Sequence, residues 1–234
     1  MLHEKTVLIT SGGTMEKWDD VRGHTNLSKG TMGCLLAEKA FTAGAKVIYM
    51  HGYFAKLPEH AEHMHLVRFE GIEDLGTKLK EILESEHVDA VIMAVAGSDW
   101  VIDKVFDQSG KEMKEKGKMP SDEPPIIHFK KAPKLLAKIK KWSPKTTLVG
   151  FKLEATEDMD YLISRAKLRM ETSDAQVMVA NTSKSLYGKE EPHFIIKQSG
   201  EILEVSGKEQ AAQSLIEALK GEFISPEEKA GALS

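Results

Sequence analysis

The chain has 234 residues, of which 41% are hydrophobic and 29% are charged, and its formal net charge is -4 at pH 7. This composition is ordinary for a globular protein with a full core, and the small negative charge gives no electrostatic case for binding nucleic acid. Because no run of about 18 apolar residues occurs and the single cysteine, Cys34, excludes an internal disulfide, we expect a cytoplasmic protein that does not enter a membrane.

Short apolar runs with the length of buried strands alternate with helical patterns along the chain. The predicted strands are residues 6–10, 46–50, 64–69, 90–94, 126–129, 147–153 and 176–180. The predicted helices are residues 32–42, 72–85, 134–140 and 159–170. This alternation predicts an α/β fold: a Rossmann-like, mostly parallel sheet with helices on both faces.

Two regions interrupt this alternation. Residues 100–125 are rich in lysine and too long for an ordinary connection, so we expect a flap there. Near the end, residues 193–197 and 201–205 predict a small hairpin, followed by a last helix from Gly207. We expect a single domain over residues 1–225 and a disordered tail over residues 226–234.

The loop after the first strand is a candidate anion site. It has the sequence Ser11-Gly12-Gly13-Thr14, and the next helix begins through Ser28-Lys29-Gly30. Glycines let backbone amides approach a phosphate, and a helix N-terminus favours negative charge. The loop fits neither the Walker A nor the dinucleotide-binding pattern, so a plain tight turn is the alternative.

Two further positions carry side chains suited to a ligand. Asn26 precedes the first helix, where it either caps that helix or holds an amide or carboxylate of a substrate. The strand over residues 90–94 ends in small residues, against which a base or ribose can lie. Asp99 follows it and either caps a turn or binds ribose hydroxyls or a metal.

Lysines form two other candidate groups. Lys116 and Lys118 lie in the flap, where they are either solvated or neutralise phosphates when the flap closes. Lys130-Lys131-Ala132-Pro133 follows a predicted strand and starts a helix, another place for a phosphate. No pattern of a nucleophile or a metal cluster is found, which indicates binding and positioning rather than covalent catalysis.

Seven short segments, taken in order, resemble the phosphopantothenate–cysteine ligase family of coenzyme A biosynthesis. They are residues 9–14 (ITSGGT), 25–33 (TNLSKGTMG), 92–99 (IMAVAGSD), 117–122 (GKMPSD), 131–136 (KAPKLL), 149–154 (VGFKLE) and 179–181 (VAN). The resemblance extends from residue 6 to about residue 197. Many bacterial relatives fuse this domain behind a flavin-dependent decarboxylase, whereas this chain resembles the stand-alone form.

The resemblance implies a two-step ligation. The carboxylate of 4′-phosphopantothenate attacks the α-phosphate of a nucleoside triphosphate, usually CTP in bacteria, and diphosphate leaves. The amine of L-cysteine then attacks the acyl-nucleotide, and the nucleoside monophosphate leaves. Family members need Mg²⁺ and are typically dimers, so we expect Mg²⁺, CTP or ATP as cosubstrate, and a homodimer.

The resemblance also implies roles for individual residues. Asn26 matches the asparagine that holds the acyl intermediate, Val95 and Ala96 match a pair of substrate-binding alanines, and Lys118 matches the catalytic flap lysine, with Lys116 as the alternative. The predicted nucleotide contacts are Ser11, Gly12, Gly13, Thr14, Ser28, Gly30, Met93, Ala94, Val95, Asp99, Lys118, Lys130, Lys131, Ala132, Pro133, Phe151 and Lys167.

Two departures from the family pattern stand out. Val95 replaces an alanine, and Glu171 stands where a second lysine is expected, which leaves the choice between CTP and ATP open. The alternatives are a nicotinamide-dependent reductase and a non-catalytic nucleotide-binding module. A reductase calls for a Tyr-x-x-x-Lys pair, but Tyr161 is followed by Arg165; a binding module has no need of a lysine in the flap.

Overall fold

A computed structural model describes residues 2–113 and 117–223. Its strands are β1 (Thr6–Ser11), β2 (Met15–Lys17), β3 (Gly23–Thr25), β4 (Lys46–His51), β5 (His65–Arg68), β6 (Ala90–Met93), β7 (Trp100–Phe106), β8 (Ile126–Lys131), β9 (Thr147–Glu154), β10 (Val177–Thr182), β11 (Pro192–Lys197) and β12 (Ile202–Ser206). Its helices are α1 (Thr31–Thr42), α2 (Ile72–Ser85), α3 (Leu136–Trp142), α4 (Met159–Ser173) and α5 (Gly207–Glu222). In the described ranges, no helix has both the length and the apolarity needed to cross a membrane.

The main sheet has eight strands in the order β12-β11-β10-β9-β6-β1-β4-β5. The six strands from β10 to β5 are parallel, and β11 and β12 extend the sheet antiparallel. The chain moves from β1 towards β4 on one side and then returns to β6 on the other. In such sheets a ligand binds beyond the carboxyl ends of the strands where the order reverses, here between β1 and β6.

Both faces of the main sheet are buried. Along β1, Val7 and Ile9 belong to the core cluster that includes residues of α1 and α5, whereas Leu8 belongs to the cluster that includes residues of α2, α3 and α4. Successive side chains of a strand point to opposite faces, so a continuous apolar run is what a sheet covered on both sides requires. The α/β fold predicted from the sequence is confirmed.

Helix α1 starts directly against the end of β1 because two glycines leave room. Gly30 precedes the helix with a φ of 72°, in the left-handed region that glycine adopts without strain. A β-carbon at Gly33 would overlap the hydroxyl of Ser11. The N-terminus of α1 therefore lies beside the carboxyl end of β1, at the edge where a ligand is expected.

Two antiparallel ribbons lie outside the main sheet, and both differ from the prediction. The pair β2–β3 occupies a stretch with no predicted strand, and β7 forms from residues assigned to the flap. The predicted strand over residues 126–129 is correct, but β8 pairs with β7 rather than with the main sheet. Its side chains are largely exposed, so it lacks the apolar faces that a buried parallel strand needs. The predicted tail lies outside the described residues.

Candidate functional site

Two clefts open at the carboxyl edge of the sheet and share a wall. The larger cleft lies between α1, α5 and the ends of β9 and β10, and the smaller lies beside α3 and α4. Their volumes, including the space that is open to solvent, are about 1000 Å³ and about 900 Å³. Val95, Phe151 and Leu153 line both clefts and form the wall that they share.

The loop after β1 is tied to the loop after β6. The amide of Ala96 donates to the carbonyl of Gly12 (2.8 Å), and the amide of Thr14 donates to the carbonyl of Ala96 (3.3 Å). The buried hydroxyls of Thr14 and Ser98 are 2.7 Å apart, and Ser11 Oγ donates to the carbonyl of Gly30 (3.0 Å). These hydroxyls form hydrogen bonds within the protein, and these bonds fix the shape of the site.

Asn26 is held next to Ala96, which lines the larger cleft and directly follows Val95 of the shared wall. Its Nδ2 donates to the carbonyl of Ala96 over 2.8 Å, while the side chain itself remains exposed. Asn26 and Ala96 are therefore neighbours, and their predicted contacts with the substrate stay predictions. Among the described residues no partner is found for the amide oxygen or the second Nδ2 hydrogen, so both can contact a ligand.

The N-terminus of α1 forms one wall of the larger cleft. Ser28, Gly30 and Met32 are among the residues that line it. No side chain caps this helix, and within the described ranges the amides of Thr31, Met32 and Gly33 have no hydrogen-bond acceptor. Unpaired first-turn amides with the positive end of the helix dipole suit a phosphate.

The opposite wall of the larger cleft carries Asn181, His193 and Lys208. His193 is only 2% exposed, and its Nδ1 lies 2.9 Å from the carbonyl of Glu191. Burial and, to a smaller extent, the charge of Lys208 lower the pKa of His193. Burial and the charge of Lys56 lower the pKa of Lys208.

The smaller cleft is more strongly charged. Asp99 forms an ion pair with Lys134, and the carbonyl of Asp99 accepts the amide of Ala132 (2.9 Å). Lys152 and Arg169 line the same cleft. Asp99 is the one carboxylate among the described residues that line either cleft.

The described part of the flap contacts the β2–β3 ribbon. The carboxylate of Asp19 accepts the amide of Met119 (3.0 Å), and Arg22 Nη1 donates to the carbonyl of Met119 (3.3 Å). Lys118 is exposed and directly precedes this contact, whereas Lys116 lies outside the described residues. Burial raises the pKa of Asp19, but hydrogen bonds from Met119, Val21 and Arg22 outweigh it and leave the pKa below its usual value.

The structure sorts the predicted site residues into two groups. Those that line the clefts are Ser28, Gly30, Met93, Ala94, Val95, Ala96, Asp99, Pro133 and Phe151. Those that lie outside the lining are Ser11, Gly12, Gly13, Thr14, Asn26, Lys118, Lys130, Lys131, Ala132 and Lys167. Lys130 instead faces Asp103 at 3.7 Å, and Lys167 is exposed on α4.

Several cleft residues have no counterpart in the sequence-based prediction. On α4 the basic residue that reaches the smaller cleft is Arg169, two positions beyond Lys167. The sequence-based prediction also lacks the Asp99–Lys134 ion pair and the cleft wall that carries His193 and Lys208. The spacing of Arg165 and Arg169, one helical turn apart, is the one signal that marks a basic face on this helix.

Comparison with known proteins places the whole described chain in one family. The profile described as the DNA/pantothenate metabolism flavoprotein C-terminal domain matches residues 2–222. The Coenzyme A biosynthesis bifunctional protein CoaBC of Thermococcus kodakarensis is 31% identical over 83% of this chain and 45% of its own length. The Phosphopantothenate–cysteine ligase of Mus musculus is 28% identical over 78% of this chain and 73% of its own.

A solved structure agrees with the fold. The DNA/pantothenate metabolism flavoprotein from Streptococcus pneumoniae superposes with a TM-score of 0.82 and 25% identity, over 94% of this chain and 99% of that chain. The chain spans about half the length of the bifunctional relatives that it matches.

Proposed function

Because the chain belongs to the DNA/pantothenate metabolism flavoprotein C-terminal domain family, we propose that it is a phosphopantothenate–cysteine ligase. It joins 4′-phosphopantothenate and L-cysteine through an acyl-nucleotide, and it consumes CTP or ATP. The observation that carries this function is the position of Asn26, which is hydrogen-bonded to Ala96, a residue that lines the larger cleft and directly follows Val95 of the wall shared by the two clefts. Two clefts with one shared wall suit a reaction between two anionic substrates.

The first half-reaction requires that negative charges be brought together. A carboxylate oxygen of 4′-phosphopantothenate attacks the α-phosphorus of the nucleotide, and the bond to the diphosphate breaks. The unpaired amides at the start of α1 suit the phosphates, and Lys118, from the flap, neutralises the charge that develops on the leaving diphosphate. We propose that the side chain of Asn26 binds the acyl-nucleotide.

In the second half-reaction the nitrogen of cysteine attacks the acyl carbon. The nucleoside monophosphate leaves with the electron pair of the broken bond, and the nitrogen loses a proton. Neither half-reaction forms a bond to the protein, so alignment and charge neutralisation supply the rate enhancement. This agrees with the absence of an activated nucleophile among the described residues that line the clefts.

Mg²⁺ belongs to the proposed reaction as a ligand of the nucleotide phosphates. The described residues hold no group of three His, Cys, Asp or Glu side chains around a common point. Asp99 nevertheless lines the smaller cleft, and Mg²⁺ commonly binds through one carboxylate, water and substrate phosphates. Bound there, Mg²⁺ would polarise the phosphoryl oxygens.

We further propose a homodimer. One face of the β7–β8 ribbon exposes Trp100 and Phe129, whose side chains are 55% and 47% accessible. Large apolar side chains grouped on one ribbon are the kind of surface that association covers. Light scattering across a range of protein concentrations tests this assembly, and a monomer mass throughout would contradict it.

The proposed reaction is tested by incubating the protein with 4′-phosphopantothenate, L-cysteine, Mg²⁺ and one nucleoside triphosphate at a time. We expect diphosphate and nucleoside monophosphate in equal amounts, with CTP or ATP as the preferred nucleotide. Diphosphate formed without cysteine would support an acyl-nucleotide. If no triphosphate yields diphosphate, the chain is not this ligase, and a non-catalytic nucleotide-binding module becomes the better assignment.

A further inference from the structure

The loop after β4, residues 52–60 (the strap), packs against two backbone segments of the candidate site. A β-carbon added at Gly12 would lie 2.6 Å from the β-carbon of Ala55, and one added at Gly30 would lie 3.2 Å from the same atom. Gly12 belongs to the loop after β1, and Gly30 directly precedes α1. Because Ala55 is in close contact with both segments, the position of the strap helps to set the position of their backbones.

Hydrogen bonds join the first half of the strap to the same two segments. The amide of Gly52 donates to the carbonyl of Ser11, and the amide of Lys56 donates to the carbonyl of Lys29, both over 3.0 Å. The hydroxyl of Tyr49 donates to the carbonyl of Lys56 (2.7 Å). A shift of the second half of the strap is therefore transmitted to the start of α1.

One carboxylate of α1 holds the second half of the strap. Oε1 of Glu38 accepts the amide of His60 (3.0 Å), and Oε2 of Glu38 lies 2.7 Å from Nδ1 of the same histidine. The ring of His60 also stacks on Phe41, with 5.2 Å between the ring centroids. Because an ionised carboxylate only accepts hydrogen bonds, Nδ1 of His60 carries a proton in this contact.

The charges around His60 favour its protonated form. The charged groups that face it are Glu38 of α1, Glu59 of the strap and Glu62 of the turn that follows. The hydrogen bond with Glu38 raises the pKa of His60, burial opposes this, and the charges of the three carboxylates raise the pKa further. Burial raises the pKa of Glu38, but the hydrogen bonds and the charge of His60 outweigh burial, so the pKa of Glu38 lies below its usual value. The pair is therefore ionic below the raised pKa of His60, and its attraction weakens as the pH rises through that pKa.

We propose that Glu38 is a positioning residue of the ligation, which acts through His60 and the strap on the loop after β1 and the start of α1. Neither Glu38 nor His60 occurs among the described residues that line the clefts, so the pair acts without touching a substrate. This inference rests on the proposed function, which supplies the nucleotide that binds beside these backbone segments. The ionic pair strengthens nucleotide binding, and it contributes less once His60 is neutral.

Calorimetry of CTP and ATP binding to the full chain between pH 6 and pH 9 tests this role. We expect Glu38→Ala to raise the dissociation constant about fivefold at the acidic end of this range. The ratio of variant to wild type should fall as the pH rises, because the wild type then loses the ionic contribution. His60→Asn keeps a donor in the place of Nδ1 without a charge that titrates, so its gain in affinity over His60→Ala should be the same at every pH. A merely structural contact would give no such dependence on pH.

Glu84→Gln is the matched control. Glu84 is an exposed carboxylate that pairs with Lys80 (3.7 Å) on α2, whose buried residues belong to the other core cluster. This variant should bind both nucleotides with wild-type affinity at every pH. An equal loss in Glu84→Gln would overturn the specific role of Glu38.

Hydrogen exchange of the protein without ligand gives a readout that does not depend on the reaction. The amides of the strap should exchange faster in Glu38→Ala than in the wild type. Wild-type exchange, wild-type nucleotide affinity or a ratio that is constant with pH would each overturn the proposal. If exchange and binding change as expected but the wild type makes no product, the positioning of the strap stands and the ligase assignment fails. A wild type that binds no nucleotide contradicts the ligase assignment, and the exchange of the strap amides then decides alone whether Glu38 holds the strap.

Discussion

At the residue scale, Lys118 allows catalysis to be tested apart from folding, because its side chain is exposed. We expect Lys118→Ala to lower the rate of diphosphate release by on the order of 10²-fold, because an ammonium group no longer meets the developing charge. The measurement is diphosphate release with saturating substrates. Lys111→Ala, an exposed lysine in the same segment, is the control and should retain wild-type activity. Wild-type rates from Lys118→Ala would contradict the proposed role.

Asn26 provides a second test at this scale. Asn26→Asp removes the donor to the carbonyl of Ala96 and adds a negative charge beside two anionic substrates. We expect turnover at saturating cysteine to fall at least tenfold, with a smaller change in nucleotide affinity. Steady-state kinetics with each substrate varied in turn measure both quantities. Unchanged turnover would exclude Asn26 from the handling of the intermediate.

At the element scale, one carboxylate joins the β2–β3 ribbon to the flap. Oδ1 of Asp19 accepts the amides of Val21 and Arg22 and closes the turn, whereas Oδ2 accepts the amide of Met119. Asp19→Asn therefore keeps the acceptor that shapes the turn, but it turns an NH₂ group towards the amide of Met119. We expect faster proteolysis of the flap and slower diphosphate release, with little change in stability.

Asp20→Asn is the matched control for this contact. Asp20 is the exposed neighbour of Asp19, and no interaction of its side chain is found within the described ranges. Its variant should resemble the wild type in proteolysis and in turnover. If Asp19→Asn also resembles the wild type, the contact with Met119 does not position Lys118.

The approach of α1 to β1 also makes a prediction at the element scale. In Gly33→Ala the added methyl group would overlap Ser11, so the first turn of α1 must move. We expect a loss of about 1–3 kcal/mol in the free energy of unfolding and weaker nucleotide binding. Gly221→Ala, in open space near the end of α5, is the control and should stabilise the protein slightly. Equal stability of the two variants would contradict close packing at Gly33.

At the scale of the whole molecule, Asp89 fastens the start of β1 to the start of β6. Its carboxylate accepts the amide of Thr6 (2.9 Å) and pairs with Lys5 (3.0 Å). Burial raises the pKa of Asp89, but the hydrogen bond from Thr6 and the ion pair with Lys5 outweigh burial, so the pKa lies below its usual value. At pH 7 we expect the free energy of unfolding of Asp89→Asn to be about 1–3 kcal/mol lower than that of the wild type.

The pH dependence of this difference follows from the sign of the shift. Because the folded pKa lies below the unfolded value of about 3.9, the stabilisation is complete above that value and is lost as the pH falls through the folded pKa. Urea unfolding of both proteins between pH 7 and pH 3 measures this. Glu86→Gln, an exposed neighbour, should show no such change. A difference that stays constant down to pH 3 would contradict ionisation as its cause.

The main sheet was predictable because its strands are apolar on both faces. The predicted helix over residues 72–85 coincides with α2, whose apolar residues recur every three or four positions. By contrast, β2, β3 and β7 are short or polar, and their pairing partners lie elsewhere in the chain. Local periodicity contains no information on such pairing.

The candidate site was predictable only where a motif is continuous in sequence. Residues 93–96 and 28–30 line the clefts as expected, since small residues at a strand end or a helix start mark such places. His193 and Lys208 lie in segments with ordinary strand and helix patterns. Their meeting at one wall of the cleft depends on the antiparallel extension of the sheet, which no single segment encodes. The predicted cytoplasmic location stays a prediction.

The larger cleft joins residues that lie far apart in the sequence, from Ser28 before α1 to Lys208 in α5. During vectorial synthesis, the first half of the sheet therefore emerges long before the wall that completes the cleft. A nascent chain that still lacks α5 presents an open, one-sided groove. The cleft is therefore complete only after α5 has been made, later than the earliest collapse of the sheet.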